Sequence, residues 1–141
     1  MKVFLDTGAF LALADEDAEY HAAASSVYTK LIQSRARLVT SNFILSETYT
    51  VIRSRVSHRA AVDFIKHFDH AGISVLRVGQ AIEQTAKEIF IRYDDKNFSV
   101  VDCTSFALIG HHGFDHAFAF DVHFNQYRFK RTVSILPGRP Q

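Results

Sequence analysis

A single cysteine, Cys103, occurs among the 141 residues, and tryptophan is absent. One thiol cannot form an internal disulfide or a cysteine-rich zinc cluster, so a reducing, cytoplasmic setting is the economical expectation. The two prolines, Pro137 and Pro140, both fall at the very end of the chain. Nothing upstream of them is obliged to kink, and long helices are permitted throughout. Neither sign of charge dominates: 16 Lys and Arg against 15 Asp and Glu leave a formal net charge of +1. Global charge therefore does not announce a nucleic-acid binder, which is usually more basic. No apolar stretch approaches the roughly 18 residues of a membrane span, so no membrane association is expected. Lys2 and the apolar run ending Ala12-Leu13-Ala14 faintly mimic a secretion signal. That run is too short and is broken by Asp6, so an unprocessed chain is expected.

What is present is an ordinary globular mixture, 48% hydrophobic and 22% charged, which disfavours a disordered or collagen-like chain. The length fits one compact domain. We place it at residues 1–136, with a frayed tail at 137–141. Val3-Phe4-Leu5 reads as a short buried strand. Helical spacing covers Ala18 to Ile32, and Leu38-Val39-Thr40 reads as a second strand. Ser41 or Asn42 then caps a helix running to about Arg55. Further helices are expected over Ser57–Phe68, Ala81–Arg92 and Ser99–Ile109, and further strands over Ile73–Leu76, Ala117–Phe120 and Val133–Leu136. Strands alternating with helices predict an α/β domain with a mainly parallel central sheet.

Four acids stand out. Asp6 directly follows the first strand, at the carboxyl end where open parallel sheets gather ligands. It is equally placed to cap the short helix through Phe10 and Leu13. Asp121 follows Ala117–Phe120 in the same way, ahead of a short helical segment starting at Val122, with capping as its bland alternative. Asp102 sits three residues after Ser99, the form of a capping box; an acid in a first helical turn can also face a metal. Glu47 shares a helical face with Phe43, Ile44 and Val51. That face is expected to be buried, where an unpaired carboxylate is costly, so an Arg or a metal should compensate it. Carboxylates converging in one cleft would repel each other and imply a divalent cation. An all-oxygen set suits Mg2+ or Mn2+, one or two ions, rather than zinc. Attack of water on a phosphodiester is the chemistry such ions support.

The remaining residues carry weaker signals. Asp15, Glu16, Asp17 and Glu19 form a solvated run, and Asp94 and Asp95 lie in a loop near the third acid. His111, His112, His116 and His123 match no defensible zinc spacing, and Cys103 is expected to pack in the core. Local basic groups, Arg53, Arg55, Lys96, Arg128, Lys130 and Arg131, are candidates for holding a polyanion, although solvated surface is their ordinary role.

The segment Val3-Phe4-Leu5-Asp6-Thr7-Gly8-Ala9-Phe10 resembles the opening of PIN-domain nucleases, the fold of VapC-type toxins. Ser41-Asn42-Phe43-Ile44-Leu45-Ser46-Glu47-Thr48 resembles the segment bearing their second acid. Residues Asp95 to Ala107, containing Ser99-Val100-Val101-Asp102, resemble the third, and Ala119-Phe120-Asp121-Val122-His123-Phe124 the last. The four blocks stand in family order and span nearly the whole chain. The resemblance implies a three-layer α/β/α domain with a five-stranded parallel sheet, and Mg2+- or Mn2+-dependent cleavage of single-stranded RNA. By matching position, Asp6 and Asp102 would be the principal metal ligands, with Asp121 and Glu47 completing the catalytic pocket. It also implies a homodimer and a small antitoxin partner. Arg128 departs from the glycine that many relatives carry before the aromatic matching Phe129. A haloacid-dehalogenase-like phosphotransferase would need an acid at Gly8, and a receiver-like phosphoacceptor a central Asp with a late Lys. A PIN-like module that binds RNA or protein without cutting is the alternative from another class.

Overall fold

A computed structural model describes residues 1–138. Five strands alternate with seven helices in the order β1 (Lys2–Leu5), α1 (Thr7–Ala14), α2 (His21–Gln33), β2 (Arg37–Ser41), α3 (Asn42–Arg55), α4 (His58–Phe68), β3 (Ser74–Leu76), α5 (Gln80–Arg92), α6 (Val100–His112), β4 (His116–Phe118), α7 (His123–Gln126) and β5 (Ser134–Leu136). The strands form one sheet in the order β3-β2-β1-β4-β5, with every neighbouring pair parallel. This is the expected α/β architecture. Of the tail expected at 137–141, residues 139–141 lie outside the described residues.

The central position of β1 explains its sequence. Val3, Phe4 and Leu5 are wholly buried because helices cover both faces of a parallel sheet, which favours an unbroken apolar run over alternation. Phe4 stands opposite Val39 on β2 and Ala117 on β4. Thr40 ties the strands further by donating its hydroxyl to the Leu5 carbonyl at 2.8 Å. On one flank Phe10 of α1 meets Phe64 and Phe68 of α4 edge-on, at 5.5 and 6.0 Å between ring centroids. Helix α6 is buried on every side from Asp102 to Ile109, the behaviour of a helix enclosed by the core rather than lying on it. Cys103 is inside it, as expected. Helix α6 ends at Gly113, whose left-handed backbone (φ 67°) closes the last turn.

Local chemistry sets the boundaries. Ser41, not Asn42, caps α3 by accepting the Ile44 amide at 3.1 Å. Asn42 instead accepts the Val78 amide at 2.9 Å, pinning the segment after β3. Helix α2 starts at His21, later than its apolar pattern suggested. Strand β4 stops at Phe118 rather than Phe120. Ala119 still donates to the Leu136 carbonyl at 3.0 Å, and beyond it Phe120 leaves the sheet to stack on Tyr20. Arg128 needs no glycine: Arg35 is the non-glycine residue with positive φ among the described residues.

Candidate active site

The carboxyl edge of the sheet collects the acids. Asp6 leaves the end of β1 with an extended backbone, and its amide donates to the Phe118 carbonyl at 3.0 Å, fixing it beside β4. Its carboxylate makes no capping hydrogen bond to α1, so capping does not account for this acid. It is only 5% exposed. Burial first, and then the Asp102 charge, push its pKa up to about 7; Glu47 and Asp121 add to the rise, and the Thr7 amide pulls against it. The charges of the other three acids named from the sequence therefore all reach Asp6.

Asp102 has both of the roles the sequence left open. Its amide donates to the Ser99 hydroxyl at 3.0 Å, and its Oδ2 accepts the Ser99 amide at 3.0 Å, completing a capping box. The same Oδ2 lies 2.9 Å from Nδ1 of His123. That nitrogen is also 3.1 Å from Oδ1 of Asp121. Asp121 stands three residues beyond the end of β4, not directly after the strand, and its Oδ1 accepts the His123 amide at 2.9 Å. One ligand atom from each of Asp102, Asp121 and His123 lies within 4.8 Å of the others.

Glu47 differs from its expected placement. The buried face of α3 is Ile44, Leu45, Thr48 and Ile52. Glu47 is half-buried at the margin of that stripe, with Phe43 and Val51. It borders a cavity of about 430 Å3 shared with Phe43, Val51 and Val101. Its carboxylate is thus not enclosed in the core, and no Lys or Arg pairs with it among the described residues.

His123 is the residue that sequence reasoning set aside. Zinc spacing was the wrong criterion, because its partners are carboxylates and one of them is 21 positions away. The weaker loop candidate Asp95 is engaged by Lys96 at 3.1 Å.

The donor set suits a divalent cation. Three carboxylates around a fourth that burial holds near neutrality would be relieved by a positive ion, and hard oxygen donors match Mg2+ or Mn2+. The hydroxyl of Thr7, the residue after Asp6, is buried with no hydrogen-bond partner among the described residues, as is that of Ser105 in α6.

Among the described residues, no helix is long and apolar enough to cross a membrane. The PIN domain family model matches residues 3–130. A relative from Mycobacterium tuberculosis, the 23S rRNA-specific endonuclease VapC20, is 32% identical over 135 residues, covering 96% of this chain and 98% of its own. A crystal structure of M. tuberculosis VapC20, titled as a sarcin-ricin-loop-cleaving toxin, matches with a TM-score of 0.80 at 33% identity, covering 90% of this chain and 95% of that one. VapBC2 from Rickettsia felis, bound to a promoter DNA fragment, shares the fold with a TM-score of 0.71 at 8% identity, over 95% of this chain and 97% of that one. DNA-bound VapBC from Salmonella typhimurium does so with a TM-score of 0.68 at 15% identity, over 96% of each chain. With its parallel sheet, its acids at the carboxyl edge and a family match over most of its length, the chain belongs to the PIN-domain family.

Proposed function

We propose that the chain is a Mg2+- or Mn2+-dependent endoribonuclease and the toxin of a toxin–antitoxin pair. The observation that carries this reading is the buried Asp6 carboxylate, with its pKa pushed up to about 7 amid Asp102, Glu47 and Asp121. Burial of that charge, and then its repulsion by the neighbouring acids, costs stability unless the site binds a cation. Asp6 and Asp102 are the principal metal ligands in this reading, and Glu47 and Asp121 complete the pocket. A bound divalent ion would supply charge neutralisation and water activation for in-line attack on a phosphodiester.

The protein's own contribution is positional. The β1–β4 junction fixes Asp6, and the capping box fixes Asp102. His123, with its Nδ1–H donating, holds the Asp102 and Asp121 carboxylates towards each other. The one thiol is ill-suited to attack: burial, with the Asp102 charge adding, pushes the pKa of Cys103 up to about 11. In this reading water, rather than a protein side chain or the RNA 2′-hydroxyl, is the attacking group, and the products are a 5′-phosphate and a 3′-hydroxyl.

The 32% identity to VapC20 makes ribosomal RNA the first substrate to test. A small antitoxin, a homodimeric assembly and a cytoplasmic location belong to the same reading. So does a nuclease unit spanning residues 1–136.

Incubation of the purified chain with Mn2+ and a panel of labelled RNAs, including 23S rRNA, is the experiment. Specific cleavage that is lost in EDTA and in Asp6→Asn is expected. A cyclic 2′,3′-phosphate product, or full activity in EDTA, would overturn the assignment.

A further inference from the structure

Beside the acids, three aromatic rings run from the core to the surface. Phe118 is wholly buried at the end of β4, and Phe120 packs against it with ring centroids 6.0 Å apart. Tyr20 then lies flat on Phe120, at 4.8 Å and an interplanar angle of 6°. Tyr20 is 48% exposed. Since Phe120 covers one face of the ring, much of that exposed area belongs to the other face and the edge. A half-exposed aromatic held parallel to an anchored ring offers a flat surface at little conformational cost, because its backing is already fixed.

The surroundings define what can lie there. Tyr20 and Phe120 border a cavity of about 340 Å3 with Gly8, Leu11, Ile52 and Arg55. Gly8 is two residues after Asp6, and Phe120 immediately precedes Asp121, so the cavity adjoins the acid pocket. Asp15 and Glu19 also border it. Their carboxylates repel a phosphate and accept hydrogen bonds from N–H groups on a base edge. Arg55 supplies a cation for the backbone beside that base. A planar, uncharged, N–H-bearing ring attached to a phosphate is a nucleotide.

We propose that Tyr20, backed by Phe120, stacks one unpaired nucleobase of the RNA substrate and so positions the neighbouring phosphodiester at the acid pocket. This inference rests on the endoribonuclease reading and deepens it. Stacking of a base on an aromatic side chain is tolerant of sequence and is the usual way single-stranded RNA is held without base-specific hydrogen bonds.

The test separates binding from cleavage. In an Asp6→Asn background no cutting intervenes, and one repelling charge is removed. Anisotropy then compares a short end-labelled oligoadenylate with its abasic ribose-phosphate counterpart. Tyr20→Ala should weaken oligoadenylate binding on the order of ten- to a hundredfold and leave the abasic strand unaffected. Tyr20→Phe should bind like the parent. Tyr20→Leu, which keeps apolar bulk without a flat ring, should bind as weakly as Tyr20→Ala. Equal losses on both strands would make Tyr20 a structural residue and overturn the proposal. RNA binding indifferent to every Tyr20 variant would overturn it too, leaving the cavity to an apolar side chain of a protein partner. A parent that binds neither strand would overturn the stacking proposal alone, because the endoribonuclease reading is decided separately by the cleavage assay with 23S rRNA.

Discussion

Asp6 and Asp102 are both nearly buried, at 5% and 8% exposure, yet the chain treats them in opposite ways. Asp102 sits in the first turn of α6, where the helix dipole favours a negative charge. The Ser99 amide and the His123 imidazole also bond its carboxylate. Asp6 makes no side-chain capping bond and feels the charges of Asp102, Glu47 and Asp121. One carboxylate is built into the fold; the other is tolerated by it. The lesson is that family position alone does not tell how an acid contributes to stability: the two should respond with opposite signs when neutralised.

The largest expected effect is on catalysis, where the two acids should behave alike. Asp6→Asn and Asp102→Asn each remove a proposed ligand of an ion worth several kcal/mol to the transition state, and should lower turnover by roughly a hundredfold or more. Steady-state cleavage at saturating Mn2+ checks this. A smaller loss follows for the residue that orients the ligands. His123→Ala should cost about 10- to 100-fold in activity or metal affinity, measured by the same assay and by Mn2+ titration. Activity undiminished in His123→Ala would mean that the imidazole merely packs against Phe98.

Sequence and fold agree most closely where a single local rule dominates. Val3-Phe4-Leu5 announced a buried strand because full burial demands continuous apolarity, and Ser99 with Asp102 announced a helix start through capping chemistry. Glu47 shows where such reasoning stops. Helical periodicity places it near an apolar face, but whether a residue lies within the stripe or at its margin depends on how α3 is rotated against the core. Asp121 was legible as an acid, not as one set back from the strand, because the run Phe118-Ala119-Phe120 stays apolar after the chain has left the sheet. His123 was invisible for a different reason: its partner Asp102 belongs to another helix, and only the tertiary fold brings the two together. That the four acids would come near one another was suggested by their strand-end and helix-face positions; in the fold the charges of Asp102, Glu47 and Asp121 add to what burial does to the pKa of Asp6.

The contrast between the two acids predicts a pH dependence. The Asp6 pKa is about 7 in the folded chain against an ordinary value of 3.8. Between those values the folded state holds a proton that the unfolded state has released. Stability from this group is therefore present below about pH 4, falls as pH rises towards 7, and levels off above it. Asp6→Asn should abolish that component of the decline in urea-melt stability measured across this range. Because the proton competes with a cation, the stabilisation given by Mn2+ should grow as pH rises through 7. A parent whose metal response is flat from pH 5 to 8 would speak against Asp6 as a ligand.

The smallest effect is on stability at a fixed pH. Without metal at pH 8, Asp6→Asn should gain on the order of 1–2 kcal/mol by relieving burial of a charge. Asp102→Asn should lose up to about 1 kcal/mol, since it weakens a capping box and a favourable dipole contact. If both variants shift in the same direction, the opposition between the two acids fails.

The central claim, that these acids form a cation pocket, is tested most directly by melting the parent and Asp6→Asn at pH 8 with and without Mn2+. The account predicts that the metal-free variant melts above the metal-free parent. Mn2+ should raise the midpoint of the parent, since a ligand bound only by the folded state adds to its stability, and should raise that of the variant far less. A variant that melts below the parent, together with a parent indifferent to Mn2+, would contradict it.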